Sequence, residues 1–179
     1  MIRRFLVLVV AILAVSADVQ AALTLAASTG KKVLEVRVDG QTVKRYDIAV
    51  GSRKHRTPHG SFSVRHIVWN PGWVPPREKW AKGKKPTPPG HPDNPMRVVK
   101  IFFQEPDYYI HGTDQEESIG KAASHGCIRM TEADAFELGR YLMEHSGARR
   151  SDAWYEAVMS GRRPASVYLP TRVRMVIGK

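Results

Sequence analysis

The chain has 179 residues, with 28 Lys and Arg against 17 Asp and Glu, and a single cysteine. That length suits one domain with a hydrophobic core, while one cysteine excludes an internal disulfide framework and any CxxC zinc or redox motif. A net charge of +11 favours acidic partners near the surface, although a solvated basic face is the simpler explanation of the charge. Because Lys82, Lys84 and Lys85 have no interleaved aromatic residues, no nucleic-acid partner is expected.

Residues 1–21 have the pattern of a signal peptide. Arg3 and Arg4 precede eleven consecutive apolar residues at 5–15, and Val19-Gln20-Ala21 offers small or apolar residues for a signal peptidase. Eleven helical residues rise roughly 16 Å, about half of a hydrocarbon core. We therefore expect cleavage after Ala21, export to the periplasm or cell envelope, and no stable membrane span afterwards. An uncleaved N-terminal anchor is the alternative.

Residues 33–69 predict three strands. The segments KVLEVRV and QTVKRYDIAV are joined by Asp39-Gly40, which predicts a tight hairpin turn. SFSVRHIVW then alternates apolar and polar residues as a half-buried strand does. In the hairpin, the buried face is expected to come from Val36, Val38, Val43 and Ile48.

Residues 70–95 predict an irregular loop, because eight of the twelve prolines lie there. Trp69, Trp73 and Trp80 flank it or lie within it, which favours a loop packed on the body of the domain beside a binding cleft. A structureless loop of this length is usually functional or disordered, so a disordered insertion is the alternative.

The rest of the chain predicts more strands and two helices. MRVVKIFF and YYIHG predict strands, and Thr131 with Asp134 predicts a capped helix that stops near Gly147. A second helix is expected at 152–160, between a Ser151 cap and Gly161. The alternation in VYLPTRVRMVI predicts a closing strand. The fold class is therefore mainly β with a few short helices.

Two short pieces carry chemistry: IHGT at 110–113 and SHGCIRM at 124–130. A lone cysteine is normally either a buried apolar residue or a reactive thiol. Here Gly126 lets backbone approach a ligand, and His111 and His125 are candidate bases. Since a nearby imidazole lowers the pKa of a thiol, these neighbours favour a nucleophilic Cys127.

Two other kinds of site fit these residues poorly. Two histidines and one cysteine lack a fourth ligand and show no usual zinc spacing, so no metal is predicted. Papain-like proteases place the cysteine before the histidine, whereas His111 comes sixteen residues before Cys127.

At these residues the sequence closely resembles the L,D-transpeptidase family of bacterial cell-wall enzymes. The family signature is a His, a spacer, then Ser/Thr-His-Gly-Cys, an apolar residue and Asn or Arg. AVGSRKHRTPHGSFSV, WNPGWVPP and PPGHPDNP are weaker likenesses. The resemblance covers roughly 31–135 and the closing strand. It departs at His59, where the family usually has a small residue, and at 147–166, which is longer than the usual closing segment. It implies a β-sandwich-like catalytic domain over 31–179, after a short linker at 22–30.

The resemblance also implies residue roles. Cys127 would be the nucleophile, His111 its general base, and the carbonyl of Gly112 the group that orients the imidazole. Backbone N–H groups of Gly126 and Cys127 would stabilise an oxyanion.

Four further residues would bind substrate or shape the site. His125 and Ser124 would shape it, His125 by packing rather than as a second base. Arg129 would either hold a substrate carboxylate or form a structural salt bridge. Trp73 would lie near the cleft.

The implied reaction is acyl transfer without a cofactor. Cys127 would cleave the L,D bond of a peptidoglycan tetrapeptide stem, and an amine of another stem or of an envelope protein would resolve the thioester. Carbapenem-type inhibitors are expected to react. Within the same chemistry, an L,D-carboxypeptidase or a hydrolase of a wall–protein link remains open. From other classes, a non-catalytic wall-binding domain or, least favoured, a general basic-polymer binder remains.

Overall fold

The computed structural model of the chain describes residues 22–179, so the predicted signal peptide lies outside the described residues. Within that range, no helix has both the length and the apolar character to span a membrane. The helices are α1 (Glu132–His145) and α2 (Asp152–Ser160), with single 3-10 turns at Lys79–Ala81 and Glu116–Ser118. The strands are β1 (Leu23–Ser28), β2 (Val33–Val38), β3 (Gln41–Asp47), β4 (Val50–Gly51), β5 (Gly60–Trp69), β6 (Val99–Gln104), β7 (Tyr108–Gly112), β8 (Ala122–Ser124), β9 (Ile128–Met130) and β10 (Ala165–Gly178).

Eight strands form one sheet in the order β3-β2-β1-β10-β5-β6-β7-β9, and β4 pairs with β8 in a small second sheet. The large sheet curls on itself, because Ala49, just after β3, exchanges two backbone hydrogen bonds of 2.9 Å with Arg129 in β9. One hydrophobic core lies inside the curl. The mainly β prediction is confirmed.

The N-terminal segment corrects one expectation. Residues 22–30 do not form a linker, since β1 lies between β2 and β10 inside the sheet. Its parallel pairing with the end of β10 runs from Thr24 opposite Arg174 to Ser28 opposite Gly178. Leu25 and Ala27 are buried there, so the folded domain begins at β1.

The predicted hairpin forms, with Asp39 and Gly40 at positive φ of 51° and 82°, as a tight two-residue turn requires. Val36 and Ile48 are fully buried, but Val43 is 50% exposed, contrary to the expectation. The cause is a β-bulge: Lys44 pairs with Val36 and Thr42 with Arg37, which leaves Val43 as the extra residue of an edge strand.

On the core face of the sheet, a row of apolar side chains crosses five strands. Helix α1 packs on β6, β7 and β9 of these. The members of the row lie directly opposite one another: Val167, Ile67, Ile101, Ile110 and Ile128. Beside the row, Trp69 is fully buried against Gly139 of α1, where an added Cβ would come within 2.9 Å of the indole ring. The small residue on the helix therefore sets how closely α1 approaches the sheet.

Both predicted helices and their caps are confirmed. The Thr131 side chain accepts a hydrogen bond of 3.1 Å from the N–H of Asp134, and α1 ends before Gly147, whose φ is +79°. Ser151 caps α2 through the N–H of Trp154, and Gly161 ends it. The added length at 147–166 is therefore this second helix, whose Tyr155 ring lies 4.9 Å from that of Trp69.

The proline-rich loop at 70–95 is packed on the domain rather than extended away from it. Trp73 and Thr87 exchange two backbone hydrogen bonds of 2.9 Å across the loop. The buried Asn94 donates to the carbonyl of Pro71 at 2.6 Å and to that of Pro88 at 3.2 Å. These bonds hold the two ends of the loop together over the sheet.

Candidate active site

The sheet face opposite the apolar row carries the candidate site, because side chains alternate between the two faces of a strand. Lys100 of β6, His111 of β7 and Arg129 of β9 lie opposite one another across adjacent strands. Tyr109, two residues before His111, lies on the same face and contacts Cys127, which directly precedes β9. The two sequence motifs therefore meet on neighbouring parallel strands.

The imidazole of His111 is buried and oriented. It is 4% exposed, and its Nδ1 lies 2.5 Å from the carbonyl oxygen of Gly112. Because a carbonyl only accepts, Nδ1 carries the hydrogen and Nε2 keeps its lone pair. Burial, with smaller contributions from the cations of Arg129 and Lys100, lowers the pKa of His111 to about 3. At neutral pH the ring is therefore an uncharged proton acceptor.

The thiol of Cys127 is protonated in this environment. Its Sγ donates to the carbonyl of Asp107 at 3.3 Å, and burial raises its pKa to about 11. The opposing influences come from hydrogen bonding by the backbone N–H and the hydroxyl of Tyr109, and from the cations of Lys100 and Arg129. The thiolate therefore depends on these neighbours and on a base.

A tight turn presents the cysteine, and Ser124 holds it. The Ser124 hydroxyl accepts a hydrogen bond of 3.0 Å from the N–H of Gly126 and donates one of 2.5 Å to the carbonyl of Cys127. This corrects the expectation for Gly126: its N–H is already bonded, so it is not available to an oxyanion. The Cys127 N–H and the Tyr109 hydroxyl are the remaining candidates beside the sulfur.

Gly126 has a conformational role instead. Its φ is +114°, a region that side chains rarely adopt. A Cβ at this position would lie 2.8 Å from Cε1 of Tyr108 and 3.6 Å from the carbonyl oxygen of Arg56. The turn therefore needs glycine both for its backbone and for the close approach of Tyr108.

His125 packs against the loop at 70–95. Its ring stacks on Trp80 with centroids 3.8 Å apart and planes at 15°, and His55 lies 4.9 Å away. Desolvation, followed by the charges of His55, Arg129 and Lys84, lowers the pKa of His125. These ring contacts are the ones that a packing role for His125 would use, and that role stays a prediction.

Arg129 keeps its charge free of a carboxylate partner. Nη1 donates to Oε1 of Gln115 at 2.9 Å, and within residues 22–179 no carboxylate forms an ion pair with the guanidinium. Burial lowers the pKa of Arg129, while the charges of Asp114 and Glu117 act against this without forming an ion pair, and the carboxylate-binding role stays a prediction. An amide partner orients the guanidinium without neutralising it.

Trp73 is connected to the site through its neighbour Gly72. The indole is 7% exposed and lies within the loop, with Nζ of Lys84 5.9 Å from its ring centroid. Gly72, immediately before it, accepts a hydrogen bond of 3.1 Å from Nζ of Lys100. The loop thus contacts the site through its backbone at Gly72 and through Trp80.

Sequence reasoning missed Lys100 and Tyr109. Lys100 interrupts the apolar run VVKIFF at 98–103, and a lone cation inside such a run was the available signal for it. Tyr109 gave no signal of its own, since YYIHG fits any half-buried strand. Across the described part of the chain, no three His, Cys, Asp or Glu side chains are grouped as metal ligands.

Comparisons with known proteins agree with the motifs. Residues 23–161 match the model of a family described as YkuD, L,D-transpeptidase catalytic domain. The family protein YkuD of Bacillus subtilis is 33% identical over 114 residues, which cover 64% of this chain and 57% of that protein. ErfK/SrfK of Salmonella typhimurium is 35% identical over 111 residues, 58% of this chain and 34% of that protein. The chain thus spans about half or less of the length of these relatives.

Solved structures share the fold at low identity. The catalytic domain of the Enterococcus faecium L,D-transpeptidase covers 90% of this chain and 99% of its own, with a TM-score of 0.53 and 15% identity. L,D-transpeptidase 3 of Mycobacterium tuberculosis, in complex with a faropenem-derived adduct, covers 89% of this chain and 61% of its own, with a TM-score of 0.54 and 14% identity.

Proposed function

Because the chain belongs to the YkuD family of L,D-transpeptidase catalytic domains, we propose that it is a cysteine acyltransferase of peptidoglycan. The donor is a tetrapeptide stem, cleaved at the L,D bond between its diamino acid and its terminal D-alanine. The acceptor is an amine, and the product is a cross-link in the cell wall. The observation that carries the proposal is the placement of a neutral, oriented His111 on β7, next to the turn that presents Cys127 at the start of the neighbouring parallel strand β9.

The first half-reaction forms a thioester. Nε2 of His111 takes the thiol proton while the sulfur attacks the carbonyl carbon of the diamino acid. The resulting oxyanion lies near the Cys127 N–H and the Tyr109 hydroxyl; such a donor commonly contributes about 3 kcal/mol. The C–N bond then breaks, and the imidazolium returns the proton to the departing D-alanine amine.

The second half-reaction runs in the opposite sense. The acceptor amine attacks the thioester carbonyl, loses its proton to Nε2 of His111, and expels the thiolate, which takes the proton back. Splitting one acyl transfer into two steps is the usual gain from a covalent intermediate. Each step starts from a neutral imidazole, and a pKa of about 3 keeps His111 neutral. Because so low a pKa makes the imidazole a weak base, proton transfer also depends on the cations of Lys100 and Arg129, which lower the pKa of the thiol.

The charges around the sulfur suit an anionic stem peptide. Lys100 and Arg129 both act on Cys127 electrostatically, and the guanidinium of Arg129 has no carboxylate partner among the described residues. A stem peptide carries several carboxylates, and guanidinium binds carboxylate through paired hydrogen bonds. Arg129 is the residue we assign to that contact.

A β-lactam of the carbapenem type would acylate the same sulfur. The carbonyl of the β-lactam ring takes the place of the carbonyl of the diamino acid, and the ring nitrogen takes the place of the departing amine. One covalent adduct therefore forms per Cys127. A structural relative binds a faropenem-derived adduct, which supports this expectation. Intact-mass measurement of the protein after incubation with a carbapenem reads the adduct directly.

The deciding experiment is mass spectrometry of products after incubation with purified disaccharide-tetrapeptides. Dimers joined between two diamino acids, with loss of one D-alanine, establish transpeptidation. Tripeptide monomers alone make the protein an L,D-carboxypeptidase. Unchanged substrate, from folded protein whose Cys127 is reduced and reacts with a carbapenem, points to another donor such as a wall–protein link.

Cys127→Ala is the matched control. It removes the nucleophile, so all turnover should be lost while the circular dichroism spectrum stays that of the wild type. Turnover by a well-folded Cys127→Ala protein contradicts the mechanism. A wild-type protein that binds wall fragments yet forms no adduct is a binding domain with a silent site.

Export is part of the proposal and rests on the sequence of residues 1–21. Peptidoglycan lies outside the cytoplasmic membrane, so the substrate requires it. Expression in a bacterial host, fractionation and N-terminal peptide mapping test the point. A mature N-terminus at Ala22 in the envelope fraction supports export, whereas intact Met1 in the cytosol contradicts it.

A further inference from the structure

A row of aromatic rings crosses the active-site face of the sheet and ends at the cysteine. Tyr168 of β10, His66 of β5, Phe102 of β6 and Tyr109 of β7 lie opposite one another on adjacent strands. Successive ring centroids are 4.4, 5.0 and 5.2 Å apart. Tyr109, at the inner end, contacts the sulfur of Cys127.

The outer end of the row is open. Tyr168 is 59% exposed, one of the few large apolar side chains so exposed among the described residues. His66 stacks on one of its faces at 10°. On the other side no strand lies beside it, since β1 pairs with β10 only from Arg174 to Gly178. An aromatic ring beside polar groups is a surface that the apolar face of a sugar covers well.

Polar groups surround the outer rings. The ring nitrogens of His66 bond Oε1 of Glu105 and the hydroxyl of Ser166, each at 2.7 Å, which fixes the ring that supports Tyr168. The guanidinium carbon of Arg65 lies 6.0 Å from the Tyr168 ring centroid. This pairing of a fixed aromatic surface with hydroxyl, carboxylate and guanidinium groups matches a ligand that is apolar on one face and rich in hydroxyl and amide groups at its edge.

The length of the row fits the donor. Three strand spacings of about 4.8 Å separate Tyr168 from Tyr109, roughly 14 Å in all. In an extended tetrapeptide stem, three residues lie between the attacked carbonyl and the sugar, and they span roughly 10–11 Å before the lactyl ether is added. A stem whose carbonyl lies at Cys127 therefore places its sugar over the outer rings.

The loop at 70–95 covers part of the sheet face near Cys127: Gly72 accepts from Nζ of Lys100, and Trp80 stacks on His125. The aromatic row leads from Cys127 toward exposed Tyr168.

We propose that the aromatic row is a glycan subsite, in which Tyr168 binds the sugar that carries the donor stem. The inference rests on the proposed function, since it takes the L,D bond of a stem to lie at Cys127. The ligand is an N-acetylated disaccharide of the wall, held through ring contact with Tyr168 and hydrogen bonds at the polar edge. The subsite selects donors that are still attached to glycan over free peptides.

The test compares two donors, a disaccharide-tetrapeptide and the same tetrapeptide without sugar. For the wild type, kcat/KM should be about fivefold to tenfold higher with the disaccharide donor. Tyr168→Ala should raise KM for that donor alone and remove the difference, with kcat unchanged. Tyr168→Phe keeps the ring and should keep most of the preference, and Tyr141→Ala, a partly exposed tyrosine on α1, should change neither donor.

Several outcomes overturn the subsite. Equal kcat/KM for the two donors in an active wild type contradicts it, as does a Tyr168→Ala protein that loses both donors equally at unchanged melting temperature. If Tyr168→Ala does not fold, Arg65→Ala probes the same edge, and an unchanged donor preference then counts against the proposal. A wild-type protein that is inactive on both donors contradicts the proposed function instead. In that case, binding of the disaccharide, followed by tryptophan or tyrosine fluorescence, tests the subsite separately.

Discussion

The ammonium of Lys100 lies 5.0 Å from the centroid of the Tyr109 ring, the same tyrosine whose N–H and hydroxyl contact the sulfur of Cys127. Burial lowers the pKa of Lys100, and the charge of a Cys127 thiolate raises it back. With the pKa of His111 at about 3, the imidazole is uncharged at neutral pH. The nearby positive charge that favours a thiolate therefore comes from Lys100 and Arg129.

Lys100→Met should raise the pKa of the Cys127 thiol by about one unit, because it removes a cation close to the sulfur in a poorly hydrated site. The rate of alkylation by iodoacetamide at pH 8 should fall about tenfold, and the variant should reach the wild-type pH 8 rate only at about pH 9, because the thiolate fraction rises about tenfold per pH unit below the pKa. The pH profile of alkylation measures this without any wall substrate. Lys100→Arg keeps the charge and should stay close to the wild type.

Lys44→Met is the matched control for that experiment. Nζ of Lys44 also lies over an aromatic ring, 5.2 Å from the centroid of Tyr141, but its charge is paired with Glu137 of α1 and is not among the charges that act on Cys127. Its alkylation profile should match that of the wild type. A Lys100→Met profile identical to the wild-type profile shows that Lys100 does not support the thiolate.

Ser124→Ala should destabilise the protein by about 1–3 kcal/mol, because it leaves the N–H of Gly126 and the carbonyl of Cys127 without their shared partner. Urea denaturation measures the free energy of unfolding. Ser160→Ala, an exposed serine that donates to the carbonyl of Glu156, should cost much less. Equal costs for the two variants contradict the structural role of Ser124.

Gly126→Ala should abolish activity and reduce stability more than Gly40→Ala does. Both glycines have positive φ, but a Cβ at Gly40 meets nothing within 4 Å, whereas one at Gly126 meets the Tyr108 ring at 2.8 Å. Positive φ strains both variants, at +82° for Gly40 and +114° for Gly126, but only the Gly126 variant adds the close contact. Melting temperature and carbapenem adduct formation should be compared; similar losses in both variants show that strain alone matters.

Stability should fall as the pH drops below neutrality, and His111 should cause part of the fall. Its folded pKa, about 3, lies below its ordinary value of 6.5, so the unfolded chain binds the proton first. The contribution is complete above pH 6.5 and is lost as the pH falls from there toward 3. Between pH 7 and 5 the loss amounts to about 2 kcal/mol.

The free energy of unfolding of His111→Gln should therefore depend less steeply on pH than that of the wild type. His91→Gln, at an exposed position, should retain the wild-type slope. Urea titrations at several pH values give both slopes. Parallel slopes for His111→Gln and the wild type show that the buried imidazole does not titrate as described.

Short sequence patterns correctly predicted those features that depend only on residues near in the chain. The caps at Thr131 and Ser151 and the turn at Asp39-Gly40 depend on neighbours a few residues away, and the structure has all three. The predicted burial of Val43 was wrong because alternation assumes an unbroken pleat, and the bulge in β3 shifts this side chain outward. The prediction of a linker at residues 22–30 was wrong because a strand inside a sheet is recognised by its partner strands. One partner of β1 is β10, at the other end of the chain.

The sequence by itself determined the mainly β class and the motif that joins His111 to Cys127, because both are carried by short, specific runs of residues. Only the tertiary structure decided the environment of that motif. Lys100 and Tyr109 reach Cys127 through strand pairing, and the N–H of Gly126 turns to Ser124. The aromatic row of Tyr168, His66 and Phe102 exists only because β10, β5 and β6 are in register. Side chains from distant parts of a chain become neighbours through register, and no local pattern encodes that register.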